Sequence, residues 1–356
     1  MSLSLPEGIE LMRVLVTGGA GFIGSSLVRH LLDEDPGTHV TTLDALTYAG
    51  HLENLSGVLD SPRHKFVRGD VCDGHLLREV MKEVDLVFHL AAESHVDRSI
   101  EQDQPFVRTN VVGTAMTLAA ALETSVSRFI NVSTDEVYGE LPWRDPKEYE
   151  GGFSEVLGQG MNRSVDDRER FTEDTPLSPR SPYAATKAAG DHLSHAYHVT
   201  HGLDVVITRC SNNYGSRQYP EKLIPLMVRK ALKGDSLPVY GDGLHVRDWI
   251  HVDDHCRGLI AAARHGTAGR VYNFGGDSER TNLSVVSDIL EVLGLSDSLI
   301  EFVEDRPGHD RRYAIDASRA RDELGWSPQI EFGQGLERTV EWYRSQSDWL
   351  EVVTRS

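Results

Sequence analysis

Short apolar runs recur along the first 210 residues, too brief for helices and too continuous for half-exposed strands. They are R-V-L-V-T (13–17), H-V-T-T-L (39–43), H-K-F-V-R (64–68), D-L-V-F-H-L (85–90), R-F-I-N-V (128–132) and D-V-V-I-T-R (204–209). Runs of this length, rich in Val, Ile and Phe, predict strands covered on both faces. Between them, segments 22–33, 75–84 and 99–123 carry apolar residues at helical spacing. The alternation predicts an α/β fold, a Rossmann-type doubly wound parallel sheet with helices on both faces. Ligands of such sheets bind at the carboxyl ends of the strands.

Beyond residue 210 the pattern loosens. Helical spacing returns at 220–233, 253–265, 282–293 and 334–346, separated by loops rich in Gly, Pro and charge. We expect a dinucleotide-binding domain over 12–210. A smaller mixed α/β substrate lobe is expected over 211–346, with room for elements that return to the first domain. The stretch 140–175 is polar and weakly periodic. It reads as an insertion of the kind that forms lids or interaction elements.

Candidate chemistry sits at the predicted strand ends. V-L-V-T-G-G-A-G-F-I-G puts Gly18, Gly21 and Gly24 between a strand and an amphipathic helix that Phe22 and Ile23 open. The first glycine permits a tight turn, the second a close approach to a pyrophosphate, the third close helix–strand packing. Asp44 ends the second strand twenty positions after Gly24, where an acid meets ribose hydroxyls. No Arg follows in Ala45-Leu46-Thr47, which favours NAD over NADP. Asp70 and Val71 follow the third strand as an adenine edge, and the small residues of Leu90-Ala91-Ala92 follow the fourth.

S-P-Y-A-A-T-K spaces Tyr183 and Lys187 by four, on one helix face, with Ser181 as N-cap and Pro182 at the first helical position. A neighbouring ammonium and a cationic nicotinamide would lower the tyrosine pKa and make it a base. In S-T-D-E-V-Y-G two acids, Asp135 and Glu136, follow the fifth strand. On the residues alone they read either as helix-start charges or as an acid and a base with split pKa values. Strand neighbours face opposite ways. For both carboxyls to meet one substrate, the strand has to end by Thr134.

Composition narrows the partners. The net charge of -19 argues against nucleic acid. No apolar run approaches a membrane span, and the N-terminus lacks the signature of a secretory signal. Cys72, Cys210 and Cys256 are scattered, without disulfide or metal spacing. A cytoplasmic enzyme without a metal is expected.

The glycine turn and the Tyr–Lys pair together resemble the extended short-chain dehydrogenase/reductase family. The run of motifs is similar to its dTDP-glucose 4,6-dehydratase branch. They are T-G-G-A-G-F-I-G, L-T-Y-A-G, L-A-A-E-S-H-V-D-R-S, S-T-D-E-V-Y-G, S-P-Y-A-A-T-K, C-S-N-N-Y-G, P-E-K-L-I-P-L, R-D-W and D-R-P-G-H-D-R-R-Y-A-I-D, and the likeness runs from Arg13 to about Tyr343. The resemblance implies an NAD-dependent hydro-lyase that turns dTDP-glucose into dTDP-4-keto-6-deoxyglucose and water. It implies that Tyr183 deprotonates the sugar 4-hydroxyl beside Thr134 and Lys187, that Glu136 takes the C5 proton, and that Asp135 protonates the leaving 6-hydroxyl. It adds Thr109 and Asn213 to the cofactor contacts. Substrate contacts are implied for Ser94, Thr134, Asn212, Lys222, Leu223, Pro238, Val239, Tyr240, Arg247, Asn282, Asp305, Arg306 and His309. A homodimer through helices of 99–123 and 184–199 is also implied. UDP-glucose as substrate, or an epimerase or decarboxylase of the same superfamily, is the alternative. Two features depart from the family pattern: the length of the stretch around 145–170, and Ser216-Arg217 after C-S-N-N-Y-G.

Overall fold

The computed structural model describes residues 13–34, 36–142, 169–306 and 308–355. Seven parallel strands form the main sheet: β1 (Arg13–Thr17), β2 (His39–Asp44), β3 (His64–Arg68), β4 (Leu86–His89), β5 (Arg128–Thr134), β6 (Val205–Cys210) and β10 (Val271–Phe274). Their order is β10-β6-β5-β4-β1-β2-β3. The chain order reverses between β1 and β4, which makes that crevice the topological switch point.

Strand parity builds the two cores. Val14 and Val16 of β1, Leu86 and Phe88 of β4 and Ile130 of β5 pack on one face, with α1 (Phe22–Glu34). The intervening Leu15, Val87 and Phe129 pack on the other, with α2 (Gly74–Met81). Since both faces are covered, every residue of β4, β5 and β6 is buried.

The predicted helix over 99–123 is broken. It becomes α3 (Val96–Glu101), a short α4 (Gln104–Phe106), a π-helical turn at Val107–Gly113 and α5 (Thr114–Glu123). Gln102 is extended, and Pro105 has no N–H with which to continue α3. The predicted helix around the Tyr–Lys pair is α6 (Pro182–His201). Ser181 caps its first turn by accepting from the Ala184 amide, and Gly202 ends it in the left-handed conformation.

The second half holds more strand than its pattern predicts. It contains α7 (Leu223–Lys233), α8 (Val252–His265), α9 (Asn282–Leu293), α10 (Ser318–Leu324), α11 (Phe332–Ser345) and α12 (Ser347–Arg355). Between them lie β7 (Asn212–Tyr214), β8 (Leu237–Tyr240), β9 (Val246–His251), β11 (Glu279–Thr281) and β12 (Ile300–Val303). These five form a three-stranded sheet β11-β9-β7 and a parallel pair β12-β8. β10 and α8 come from beyond residue 210 yet join the main sheet and pack against α1. A separate core of Tyr214, Ile224, Trp249, Ile289, Leu336 and Tyr343 holds the substrate lobe together. The stretch 143–168 lies outside the described residues, and with it nearly all of the expected insertion.

Candidate active site

A cavity of about 1010 Å³ runs along the carboxyl ends of β1 to β6. That is the upper end of the range for small-molecule sites, with room for a large ligand and more. The glycine turn forms one wall. Gly18 has φ +71°, and a Cβ there would stand 2.7 Å from the Ala91 amide nitrogen. A Cβ on Gly24 would stand 2.2 Å from the Gly18 carbonyl. Both positions exclude side chains, and the first amides of α1 have no intrahelical partner. A backbone cradle ending in a helix N-terminus fits a pyrophosphate.

Gly18, Gly21, Phe22, Ile23, Gly24, Asp44, Ala45 and Thr47 line this cavity, as do Asp70, Val71, Leu90, Ala91, Ala92 and Thr109. Asp44 is fixed by the amides of Ala20 and Leu46, at 2.9 and 2.8 Å. Leu46 itself turns to the hydrophobic core and is absent from the cavity wall. Asp70 pairs with Arg108 across the rim at 2.7 Å. Tyr48, Glu93, Gln218, Tyr219 and Glu221 also line the cavity and were not singled out from sequence. Tyr48 stands directly after the L-T of L-T-Y-A-G, and the Arg98 guanidinium lies over its ring at 4.0 Å.

The tandem acids lie where the sheet stops. β5 ends at Thr134, and Asp135–Tyr138 is a single 3-10 turn, capped by Thr134 Oγ1 accepting from the Glu136 amide at 3.3 Å. The expected change of backbone after Thr134 is present. Thr134, Asp135, Glu136, Tyr183 and Lys187 all line the same cavity, with Ser94, Asn212, Asn213 and Lys222.

Asp135 is buried, 2% exposed. Its Oδ1 accepts from Thr134 Oγ1 at 3.3 Å, while Oδ2 has no partner among the described residues. Burial, then Glu136, then Asp248 raise its pKa well above 3.8. Asp248, two amides on its oxygens, is itself pushed up to about 6 by burial. Glu136 is half-buried. Burial raises its pKa too, opposed by the charges of Lys222, Arg306 and Arg247. The pair is therefore asymmetric: burial and Glu136 keep the proton on Asp135, while three cations favour the ionised form of Glu136.

A carboxyl with a raised folded pKa weakens the fold above its unfolded value. The wild type should lose stability as pH climbs from 3.8 through the raised Asp135 value. Asp135→Asn removes that loss. Calorimetry is expected to show the variant melting higher than wild type at neutral pH, with no gain at acid pH where both side chains are neutral.

The chain's own groups raise the Tyr183 pKa rather than lower it: burial first, then Glu136, Cys210 and Asp135. The Lys187 ammonium donates to the Val132 carbonyl at 2.7 Å. Any lowering has to come from a bound cation.

The remaining predicted substrate residues form a second group beside the cavity. Arg247 is buried, donating to the carbonyls of Val246 and Asp310 and lying 4.5 Å over the Tyr313 ring. His309 stacks on His245 at 3.6 Å and meets Asp305 at 2.7 Å. Tyr240 stands edge-on to His309 at 6.1 Å, and Arg306 pairs with Asp97 at 3.0 Å. Pro238 and Val239 precede Tyr240 in β8, and Asn282 opens α9 with its amide on the His245 carbonyl. Leu223 begins α7 and packs into the lobe's core instead. Lys222 joins the two groups, reaching the Ser94 carbonyl at 2.8 Å. His245, Asp305 and His309 could in principle hold a metal. The guanidiniums of Arg247, Arg306 and Arg311 around them suit an anion instead.

A family profile described as GDP-mannose 4,6 dehydratase matches residues 15–339. The chain belongs to this dehydratase family. A dTDP-glucose 4,6-dehydratase of Actinoplanes sp. is 49% identical, the match covering 95% of this chain and 99% of that one. The low-salt glycan biosynthesis protein Agl12 of Haloferax volcanii is 50% identical over 93% of this chain and 98% of its own. A crystal structure of a dTDP-glucose 4,6-dehydratase from Streptomyces venezuelae, with NAD bound, superposes with a TM-score of 0.87 at 47% identity, covering 96% of this chain and 100% of that one. Family membership places the glycine cradle, the Tyr–Lys helix and the tandem acids in one nucleotide-sugar enzyme.

Proposed function

We propose that the chain is an NAD-dependent dTDP-glucose 4,6-dehydratase, forming dTDP-4-keto-6-deoxyglucose and water. The tandem acids carry this reading: a buried carboxyl with an unpartnered oxygen beside a second acid under three cations. Epimerisation at C4 or loss of carbon dioxide needs no such pair. Eliminating water across C5 and C6 does.

Gly18 to Gly24, Asp44, Asp70, Val71 and Asn213 would hold the NAD, which supplies a hydride acceptor for C4 and returns the hydride to C6. Tyr183 takes the proton of the 4-hydroxyl, and Thr134 lies beside it to bond the 4-oxygen. The 4-ketone acidifies the C5 hydrogen; Glu136 removes it and gives the proton back to C5 when hydride reaches C6. Asp135 gives its proton to the departing 6-hydroxyl, which leaves as water. Lys222, Arg247 and Arg306 balance the diphosphate charge in a chain of net charge -19, with His309, whose pKa burial and Arg306 push down to about 3, as a neutral hydrogen-bonding group beside them.

Two further readings belong to this proposal. The chain acts as a homodimer, supported by Ile100, Val107, Val112 and Val199, all at least 45% exposed on the helical surface of α3, the π turn and α6. It works in the cytoplasm, supported by three free thiols. No helix of the described residues is long and apolar enough to cross a membrane.

The test is incubation with dTDP-glucose, UDP-glucose and GDP-mannose in parallel, reading the alkaline ultraviolet absorbance of a 4-keto-6-deoxy sugar. The signal is expected with dTDP-glucose first. Equal or greater signal with another sugar would reassign the substrate, and none with any would overturn the activity.

A further inference from the structure

The dinucleotide cavity is tied to the C-terminal helices by two hydrogen-bonded arms. Trp342, from α11, packs edge-on against Tyr343 of α11 and Trp349 of α12 at centroid distances of 4.9 and 5.0 Å, and the latter two rings lie tilted to each other at 6.0 Å. From this cluster the Trp349 indole N–H donates to Asn54 Oδ1 at 2.9 Å. Asn54 Nδ2 in turn donates to the Ala20 carbonyl at 2.8 Å, and the Ala20 amide donates to Asp44 at 2.9 Å. This arm ends in the middle of the glycine turn, and its first bond alone spans 295 positions of the chain. The second arm starts at Tyr343. Its hydroxyl meets the Gln218 carbonyl at 2.7 Å and the Gly215 carbonyl at 3.3 Å. Gln218 lines the facing wall of the cavity and donates its amide to the Asn213 carbonyl at 3.0 Å.

Trp349, Asn54 and Tyr343 are at most 8% exposed. Bonds between buried groups are not exchanged for water, so breaking one leaves its partner unsatisfied. One aromatic cluster thus grips both walls of the cofactor cleft. We propose that Trp349, Asn54 and Tyr343 are positioning residues that form a clasp holding the dinucleotide in place, so that its release requires the C-terminal helices to let go of one wall. The inference rests on the NAD assignment above. It suits a reaction that leaves the cofactor as it found it, since no step then requires release.

The test is the rate of NAD release from the holoenzyme, chased with excess unlabelled cofactor, in wild type, Trp349→Phe and Tyr343→Phe. Tyr343→Phe keeps its ring and Trp349→Phe a smaller aromatic one, each loses one arm, and each is expected to release NAD about tenfold faster, with turnover at saturating NAD unchanged. Trp342→Phe is the control: its indole makes neither bond, so it should lower the melting temperature while leaving release unchanged. Release at the wild-type rate from both arm variants overturns the clasp. So does a Trp342→Phe release as fast as theirs, which would make the cluster merely structural. A wild type that takes up no NAD overturns the cofactor assignment, and the clasp with it.

Discussion

Tyr183→Phe is expected to lower kcat/KM by about three orders of magnitude, with neither reduced cofactor nor keto sugar appearing. In the proposed mechanism the phenol, which lines the cavity, takes the 4-hydroxyl proton, and without it the first oxidation has no base. The ring itself is packed edge-on against Phe106 at 6.4 Å, so the variant keeps its fold. The near-ultraviolet absorbance of reduced NAD on mixing with dTDP-glucose is the measurement. A normal burst would remove Tyr183 from the mechanism.

Glu136→Gln should give the opposite trace. Oxidation at C4 remains possible, but nothing takes the C5 proton. Reduced NAD is expected to build up while turnover falls by roughly 10²–10⁴. Loss of deuterium from C5-labelled substrate should slow in parallel. In the wild type the pH profile carries the same assignment. Glu136 has to be ionised, and burial raises its pKa above 4.5 despite Lys222. Activity therefore falls as pH drops through that raised value. Asp135 has to be protonated, so activity falls again as pH rises through its own, higher value. Unchanged turnover in Glu136→Gln would show that another group is the base.

Much of this was legible because the signals are local. Strands β4, β5 and β6 are buried throughout and β1 and β2 nearly so, so their apolar runs stand out; β3, read from sequence as covered on both faces, is the edge strand and has no fully buried residue. The glycine turn and the Ser181-Pro182 helix start carry their reasons within a few residues. The change of backbone at Thr134 followed from strand parity once both acids were required to face one substrate. The second half was harder to read. In β9, R-D-W is buried, but its charged residues resemble a loop until Arg247 finds carbonyls and Asp248 finds the amides of Gly276 and Ser278. The π turn at Val107–Gly113 changes the helical period by less than one residue, which hydrophobic spacing does not resolve. It places Asn110 to bond the backbone of Glu93 and the side chain of Thr186, a tie between the cavity floor and the Tyr183 helix. The anion group draws on β8, β9, α9 and the 305–309 loop, so only the family resemblance brought its members together. Sequence shows the Tyr183 neighbour four residues on, Lys187, but not the burial and the acids that raise the tyrosine pKa in the chain alone.

The place of β10 governs how the chain can be made. The strand pairs with β6 from Val271–Ile207 to Phe274–Cys210. On a ribosome, every other strand of the main sheet emerges well before it. Until β10 arrives, β6 is an open edge of six consecutive buried-type residues, a template for pairing with another nascent chain. A fragment ending near residue 210 should therefore aggregate, and a split version of the enzyme needs its break after β10 rather than at the lobe boundary.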